Sequence, residues 1–281
     1  MAITFGERLT QAVQTNDSLL CVGLDPDPTH FPSSLRQYRD IADAIIEFNE
    51  GIVAATADLV CAYKPNLGFY LAHGAAGTAA LEATRRLVPP GIPVILDAKV
   101  GDIGSTAAAY AAGYFDTWDF DAVTVNPYLG EDSLEPFLRN EKKGAIVLCK
   151  TSNPGSGDLQ DLRLETGISL TMTVARRVQE WSERWPATLG LVVGATYPDE
   201  LATVRRQCPD LPILLPGVGA QAGDLAASLR AGLDASGRGL IVSASRAVAF
   251  AGSGRDDWQD AVRAAAIDLR GSINAHRGAF A

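Results

Sequence analysis

Residues 94–106 read Val94-Ile95-Leu96-Asp97-Ala98-Lys99-Val100-Gly101-Asp102-Ile103-Gly104-Ser105-Thr106, and this stretch places a lysine between two acids where an apolar run ends. Residues 94–96 are apolar and rich in β-branched side chains, which predicts the end of a short buried strand. Because side chains on a strand alternate between its faces, Asp97 and Lys99 are expected to point the same way. Asp102 falls in the loop beyond the strand, before a predicted helix.

The charged residues of this stretch allow two interpretations. A D-x-K-x-x-D pattern can be a structural salt bridge, since charges at the end of a buried strand need a partner. It can also be a catalytic array, because functional sites gather charged groups that perturb one another. The rest of the chain favours the catalytic array.

Short apolar runs recur along the chain and alternate with longer amphipathic stretches. Eight runs predict strands at residues 19–24, 59–63, 94–96, 122–125, 145–149, 189–193, 213–215 and 240–242. Helix-like segments lie between them, among them residues 34–57, 74–87, 105–118, 167–185, 198–207 and 222–231. This alternation implies βαβ units and a parallel sheet. Eight units without a break in composition favour an α/β fold with a single domain over residues 1–281, a (β/α)8 TIM barrel.

Polar residues follow almost every predicted strand. They are Asp25, Lys64, Asp97 with Lys99, Asn126, residues 150–153, residues 217–221 and residues 243–246. In a barrel of parallel strands these ends converge on one face, where such barrels build their active sites. Residues 151–165 form the longest irregular segment, and we expect them to be a mobile cover over the site.

Composition limits the classes of partner. Of the 281 residues 47% are apolar and 20% are charged, and the net charge of −9 argues against nucleic acid or an anionic membrane as a partner. No run reaches the length of a membrane span and the start does not read as a signal peptide, so we expect a cytoplasmic protein. The four cysteines and three histidines show no metal-ligand spacing, and we expect neither a metal nor a cofactor.

A glycine-rich turn after the seventh predicted strand suggests a phosphate site. Residues 215–223 read Leu-Pro-Gly-Val-Gly-Ala-Gln-Ala-Gly before a helix, so backbone N–H groups and the helix N-terminus can hold an anion. The turn matches a dinucleotide-binding pattern in form, but it does not follow the first strand and no acid ends the next one. Barrels often bind phosphate after strands seven and eight, where Arg246 lies. A plain tight turn with a surface arginine is the structural alternative.

These motifs, in their order along the chain, resemble one family. They are Leu24-Asp25-Pro26, Tyr63-Lys64-Pro65-Asn66, Asp97-Ala98-Lys99 with Asp102 and Thr106, Thr151-Ser152-Asn153-Pro154-Gly155, Pro216-Gly217-Val218-Gly219-Ala220-Gln221 and Ser245-Arg246. From about Leu20 to Ala247 the chain resembles the orotidine 5'-phosphate decarboxylases, which make UMP. The longer segment 156–189 and the helix-like sequence after Arg246 resemble the longer bacterial branch of that family.

The resemblance implies a role for each matching residue. Lys99, Asp97 and Asp102 would form the catalytic array around C6 of the pyrimidine. Asp102 and Thr106 would reach into a neighbouring subunit's site, which implies a homodimer. The implied substrate-binding residues are Asp25 and Lys64 at the ribose, Ser152 at the ring edge, and Pro216, Gln221 and Arg246 at the phosphate end.

The array suits decarboxylation without a cofactor. Losing carbon dioxide from C6 of orotidine 5'-phosphate leaves an electron pair in the ring plane, where the π system cannot delocalise it. A fixed cation beside C6 stabilises this carbanion more than the ground state, and Lys99 can then protonate the same carbon. Asp97 and Asp102 would keep the ammonium charged, which argues against a Schiff-base lysine, since that lysine must be neutral.

Two other functions stay open at this point. A metal-dependent sugar-phosphate decarboxylase or aldolase on a similar barrel could share the strand-end lysine, and a chelator would inhibit it. A non-catalytic nucleotide-binding barrel would have no need of a lysine between two acids. The ordered set of motifs favours the decarboxylase over both.

Overall fold

Eight parallel strands form the centre of the structure. The computed structural model describes residues 3–218 and 225–277, and one sheet there runs in the order β2-β1-β8-β7-β6-β5-β4-β3. The strands are β1 (Leu20–Gly23), β2 (Ala62–Lys64), β3 (Ile95–Val100), β4 (Ala122–Val125), β5 (Gly144–Lys150), β6 (Thr188–Val193), β7 (Ile213–Pro216) and β8 (Leu240–Ala244). Bridges from Tyr63 to Val94 and from Asn66 to Asp97 join β2 to β3, so the barrel is nearly closed. The predicted (β/α)8 fold is confirmed.

Helices surround the strands. They are α1 (Phe5–Asn16), α2 (Ile41–Thr56), α3 (Leu67–Leu71), α4 (Gly74–Leu87), α5 (Gly104–Ala112), α6 (Glu131–Leu138), α7 (Gly157–Gln160), α8 (Leu170–Ser182), α9 (Pro198–Gln207), α10 (Leu225–Gly232), α11 (Arg246–Ala249) and α12 (Trp258–Arg277). The strands are almost entirely buried, since a parallel sheet is covered on both faces. Within the described residues, no helix combines the length and the apolar character that crossing a membrane requires.

Helices α1 and α12 add to the outer layer at the two ends of the chain. Phe5 of α1 is fully buried against Gly144 at the start of β5, where any side chain would collide with the phenylalanine ring. In α12, the Trp258 ring stacks on Phe48 of α2 with 5.5 Å between the ring centroids, and Gly51 leaves room for it. The helix-like sequence after Arg246 is therefore part of the barrel's outer packing.

Several segments differ from their prediction; β3, for example, continues to Val100 instead of ending at Leu96. The helix predicted over residues 34–57 is divided, because Leu35–Gln37 forms a separate 3-10 turn and Asp40 caps the start of α2 with its side chain. Residues 151–165, called the β5 loop below, are less irregular than predicted. They contain a 3-10 turn, Pro154–Ser156, and the short helix α7.

Candidate active site

Strand β3 carries two of the predicted catalytic residues and is irregular where it ends. Its register with β4 shifts between Leu96 and Val100, and Lys99 lies in the left-handed region with φ 49°. A lysine there is strained and needs support, which Thr124 of β4 supplies by accepting a hydrogen bond from the Lys99 N–H at 2.9 Å. The Lys99 ammonium then lies 2.5 Å from Oδ1 of Asp97.

Asp97 is the hub of the site. Its Oδ1 accepts hydrogen bonds from the Lys99 ammonium and from the Thr124 hydroxyl, the latter at 2.9 Å. Its Oδ2 accepts from the Lys64 ammonium at 3.0 Å and from the Asn66 side-chain amide at 3.2 Å. Four donors thus satisfy a carboxylate that is 9% exposed, and they fix its orientation.

The electrostatics keep this cluster ionised. Burial alone would raise the pKa of Asp97, but the charges of Lys64 and Lys99 outweigh it and hold that pKa well below its ordinary value. Burial alone would likewise lower the pKa of Lys64, and the carboxylates of Asp25 and Asp97 raise it above its ordinary value instead. Near neutral pH the cluster therefore contains a buried carboxylate and a buried ammonium, both charged.

Asp25 and Lys64 lie beside this hub, as their positions at the strand ends predicted. Asp25 follows β1 and accepts a hydrogen bond from the Asn66 N–H at 3.0 Å. Lys64 ends β2 and is buried. The carboxyl ends of β1, β2 and β3 therefore bring the predicted ribose-binding residues next to the predicted catalytic lysine.

Asp102 and Thr106 lie outside this cluster. Asp102 accepts a hydrogen bond from the Ile103 N–H at 2.8 Å and, among the described residues, forms no ion pair with Lys99 or another cation. Thr106 is exposed on α5, where it lines a groove of about 480 Å³ together with Leu71 and others. The chain by itself therefore supplies one of the two predicted carboxylates to Lys99.

Ser152 lies at the start of the β5 loop, packed against the end of β6. The N–H of Gly194 donates to the carbonyl oxygen of Lys150 at 2.8 Å. A Cβ added at Gly194 would lie 2.8 Å from Cβ of Ser152 and 3.0 Å from its Cα, so only glycine permits this approach. The packing fixes where the β5 loop leaves the barrel.

The predicted phosphate end is described in part. Pro216 ends β7 and is half-buried, and Gly217 after it has φ 93°. Arg246 begins α11 with an exposed side chain, which forms no ion pair with any residue in the two described ranges. Gln221 lies outside the described residues.

Sequence analysis missed Thr124 and gave no role to Asn66. Thr124 is fully buried and contacts both Asp97 and Lys99, so it links the backbone of β3 to its carboxylate. The available signal was a hydroxyl in the otherwise apolar run Ala122–Val125. Asn66 was part of a quoted motif, but its contact with Asp97 depends on the β2–β3 bridge, which the sequence does not reveal.

The geometry fits chemistry that places a cation beside a substrate. Lys99 is the most exposed member of the cluster, with 45% of its side chain accessible, whereas the side chains of Lys64 and Asp97 are 6% and 9% accessible. Over residues 3–218 and 225–277, no three histidine, cysteine or acidic side chains are grouped as metal ligands. This end of the barrel therefore presents the fixed ammonium group of Lys99 to a ligand.

Comparison with known proteins identifies the family. The family described as orotidine 5'-phosphate decarboxylase / HUMPS matches residues 18–261. The chain belongs to this family. An orotidine 5'-phosphate decarboxylase from Thermomicrobium roseum is 53% identical over 272 residues, covering 96% of this chain and 95% of the relative. One from Roseiflexus castenholzii is 54% identical, covering 97% and 98%.

A solved structure agrees with this assignment. The OMP decarboxylase of Leishmania donovani is 43% identical and superposes with a TM-score of 0.84 over 98% of this chain and 99% of that chain. The predicted family, fold and enzyme class, a carboxy-lyase, are confirmed, and so is the predicted reaction at the level of the family. The metal-dependent sugar-phosphate decarboxylase or aldolase and the non-catalytic nucleotide-binding barrel gain no support from these relatives. The roles of individual residues stay predictions.

Proposed function

We propose that this chain converts orotidine 5'-phosphate to UMP and carbon dioxide without a metal or a cofactor. The observation that carries the proposal is the geometry of Lys99. Its ammonium is accessible from the strand-end face of the barrel and is held by a buried carboxylate that four donors saturate. A cation fixed before the substrate arrives can stabilise a developing negative charge without reorganisation during the reaction.

Lys99 acts twice in the proposed reaction. The bond between C6 and the carboxylate carbon breaks, carbon dioxide leaves, and the electron pair of that bond stays on C6 beside the ammonium. Lys99 then donates a proton to C6, which forms the C–H bond of UMP and leaves a neutral amine. The amine regains a proton from water before the next turnover. Asp97 keeps the ammonium aimed at C6 throughout.

The remaining strand-end residues bind the parts of the substrate that do not react. Asp25 and Lys64 hold the ribose hydroxyls, and Ser152 recognises the edge of the pyrimidine. Pro216, Gln221 and Arg246 form the phosphate end, where the exposed guanidinium of Arg246 is available for a charge-assisted contact. Binding energy from the phosphate end, which lies away from C6, supports turnover as well as affinity.

We also propose a homodimer in which Asp102 and Thr106 enter the site of the partner subunit. Asp102 lies away from the lysine of its own chain, so its carboxylate is available to another copy. The surface beside it is apolar and exposed, with Leu71 at 54%, Ile103 at 59% and Tyr110 at 40% relative exposure. An exposed apolar patch of this kind is typical of a subunit interface.

A cytoplasmic location completes the proposal. All four cysteines are unpaired and buried, as expected in a reducing compartment. The substrate and the acidic composition give no reason for a nucleic-acid or membrane partner.

The test is the loss of orotidine 5'-phosphate absorbance when purified protein is added, with and without EDTA. We expect rapid loss, UMP as the product and no effect of EDTA. Loss that EDTA abolishes would contradict the metal-independent mechanism. No loss, with an active decarboxylase as a parallel control, would contradict the function itself.

A further inference from the structure

We propose that Lys150 is a positioning residue, which holds the β5 loop in the conformation that presents Ser152 to the pyrimidine. The proposal rests on the proposed function, since it needs Ser152 to contact the ring. It concerns three residues that the mechanism above does not use: Lys150 at the end of β5, Asp161 in the β5 loop and Tyr197 after β6.

Lys150 is a fully buried cation whose carboxylate partner comes from the loop. Its side chain is 0% exposed, and its ammonium lies 2.6 Å from Oδ1 of Asp161, whose side chain is 54% exposed. The ammonium also lies over the Tyr197 ring, 4.5 Å from the centroid. A β5 loop that moves away from the barrel leaves Lys150 without its partner. Because an unpaired buried charge is costly, the pair favours the conformation in which the loop stays against the barrel.

Further hydrogen bonds hold the residues of the β5 loop together around this pair. Gln160, next to Asp161, accepts a hydrogen bond from the Thr151 N–H at 2.9 Å and donates one to the Thr151 hydroxyl at 2.8 Å. The Tyr197 hydroxyl lies 3.0 Å from the hydroxyl of Ser156. The two ends of the segment 151–161 are thus tied together, with the buried lysine immediately before its start.

Ser152 lies inside this tied segment, two residues after Lys150. Its backbone packs against Gly194, so it has little freedom once the segment is in place. Breaking the Lys150–Asp161 pair releases the segment and with it Ser152, whereas Lys99 and Asp97 on β3 keep their contacts. We therefore expect a loss in binding of the pyrimidine ring and a much smaller loss in the chemical step.

The experiment compares Lys150→Met, Lys150→Arg, Asp161→Asn and the double variant Lys150→Met/Asp161→Asn, with Lys142→Met at an exposed lysine as the control. The readouts are kcat, KM and the inhibition constants of UMP and of ribose 5-phosphate, which lacks the ring. We expect Asp161→Asn and Lys150→Met to raise KM and to weaken UMP about tenfold, with kcat changed less than about threefold. Ribose 5-phosphate should bind as before, Lys150→Arg should restore much of the loss, and the double variant should be no worse than Lys150→Met.

The ring-free inhibitor separates positioning from general disruption. Equal weakening of UMP and ribose 5-phosphate, or unchanged binding of both, would overturn the proposal. If Lys150→Met does not fold, Asp161→Asn at the half-exposed partner decides the question alone. A wild-type protein without decarboxylase activity would refute the proposed function instead, so the two failures are distinguishable.

Discussion

At the scale of single residues, Asp97 forms ion pairs with two lysines that have different roles. It binds both ammonium groups, but the Lys64 side chain is 6% exposed and the Lys99 side chain is 45% exposed. Lys64 therefore balances the buried charge inside the site, while Lys99 keeps the access that a reacting group needs. Thr124 supports both functions, because it bonds to the carboxylate of Asp97 and to the backbone of Lys99.

Replacing Lys99 by alanine should abolish turnover while leaving ligand binding. The variant loses both the cation that stabilises the carbanion and the proton donor, so kcat should fall about 10⁴-fold or more. UMP affinity should stay within about tenfold of wild type, because the ribose and phosphate contacts remain. Steady-state kinetics and calorimetry measure the two effects, with Lys142→Ala as the control at an exposed lysine. Near-normal turnover in Lys99→Ala would refute the mechanism.

The buried cluster predicts how stability depends on pH. The pKa of Asp97 is depressed, so its contribution is present above about pH 3.9 and is lost as the pH falls below that value. The pKa of Lys64 is raised, so its contribution is present below about pH 10.4 and is lost at higher pH. Asp97→Asn should therefore lower the free energy of unfolding by about 3–5 kcal/mol, constantly between about pH 5 and 9.

Urea unfolding of the wild type and Asp97→Asn, across this pH range and below it, measures the difference between their free energies of unfolding. It should shrink below about pH 4, because the unfolded chain then binds a proton at Asp97 that the folded wild type does not bind, and the stabilisation is progressively lost. Asp257→Asn, which breaks an exposed pair with Arg255, is the matched control, and its effect should be small. A difference that changes between pH 5 and 9 would show that a member of the cluster titrates there.

The sequence predicted the charged residues of this cluster, but it did not predict all of their contacts. Asp25, Lys64, Asp97 and Lys99 could be found because each charged side chain follows an apolar run. The role of Thr124 could not, because the partners of a hydroxyl depend on the register shift between β3 and β4.

At the scale of elements, the end of β3 departs from a regular strand. Strand alternation predicted that Asp97 and Lys99 share a face, and the two side chains do meet. Their contact depends on the left-handed backbone conformation of Lys99 and on the register shift between β3 and β4. A regular strand has neither feature. No glycine or proline within β3 marks this irregularity, so the sequence pattern alone could not reveal it.

The contact between the β5 loop and the end of β6 can be tested at Gly194. Gly194→Ala places a methyl group 2.8 Å from Cβ of Ser152 and 3.1 Å from its backbone nitrogen, so the loop must shift. We expect KM to rise several-fold with little change in kcat, and stability to fall by about 1–3 kcal/mol. Kinetics and urea unfolding measure both.

The matched control for this prediction is Gly271→Ala in α12. An added Cβ there meets nothing within 4 Å, and alanine is favoured over glycine inside a helix. Its kinetics should equal those of the wild type. An unchanged KM in Gly194→Ala would contradict the close packing of Ser152 against β6.

At the scale of the whole molecule, the barrel was the most predictable feature. Each of the eight buried strands corresponds to an apolar run in the sequence, and the helices between them correspond to amphipathic segments. The alternation of the two patterns was therefore enough to imply the fold. The organisation as a single domain over residues 1–281 stays a prediction. The homodimer does too, because the sequence of one chain shows which residues are apolar but not which surface another copy covers.

The measurement that tests the central claim most directly mixes two inactive variants, Lys99→Ala and Asp102→Asn, and assays decarboxylation of orotidine 5'-phosphate. In a randomly paired mixture half of the dimers are hybrids, and one site of each hybrid has both Lys99 and Asp102, so about a quarter of wild-type activity should return. Native mass spectrometry confirms that hybrids form, and UMP binding confirms that each variant is folded. Activity that returns to about this level supports a lysine array shared between subunits, whereas no recovery with hybrids present would contradict it.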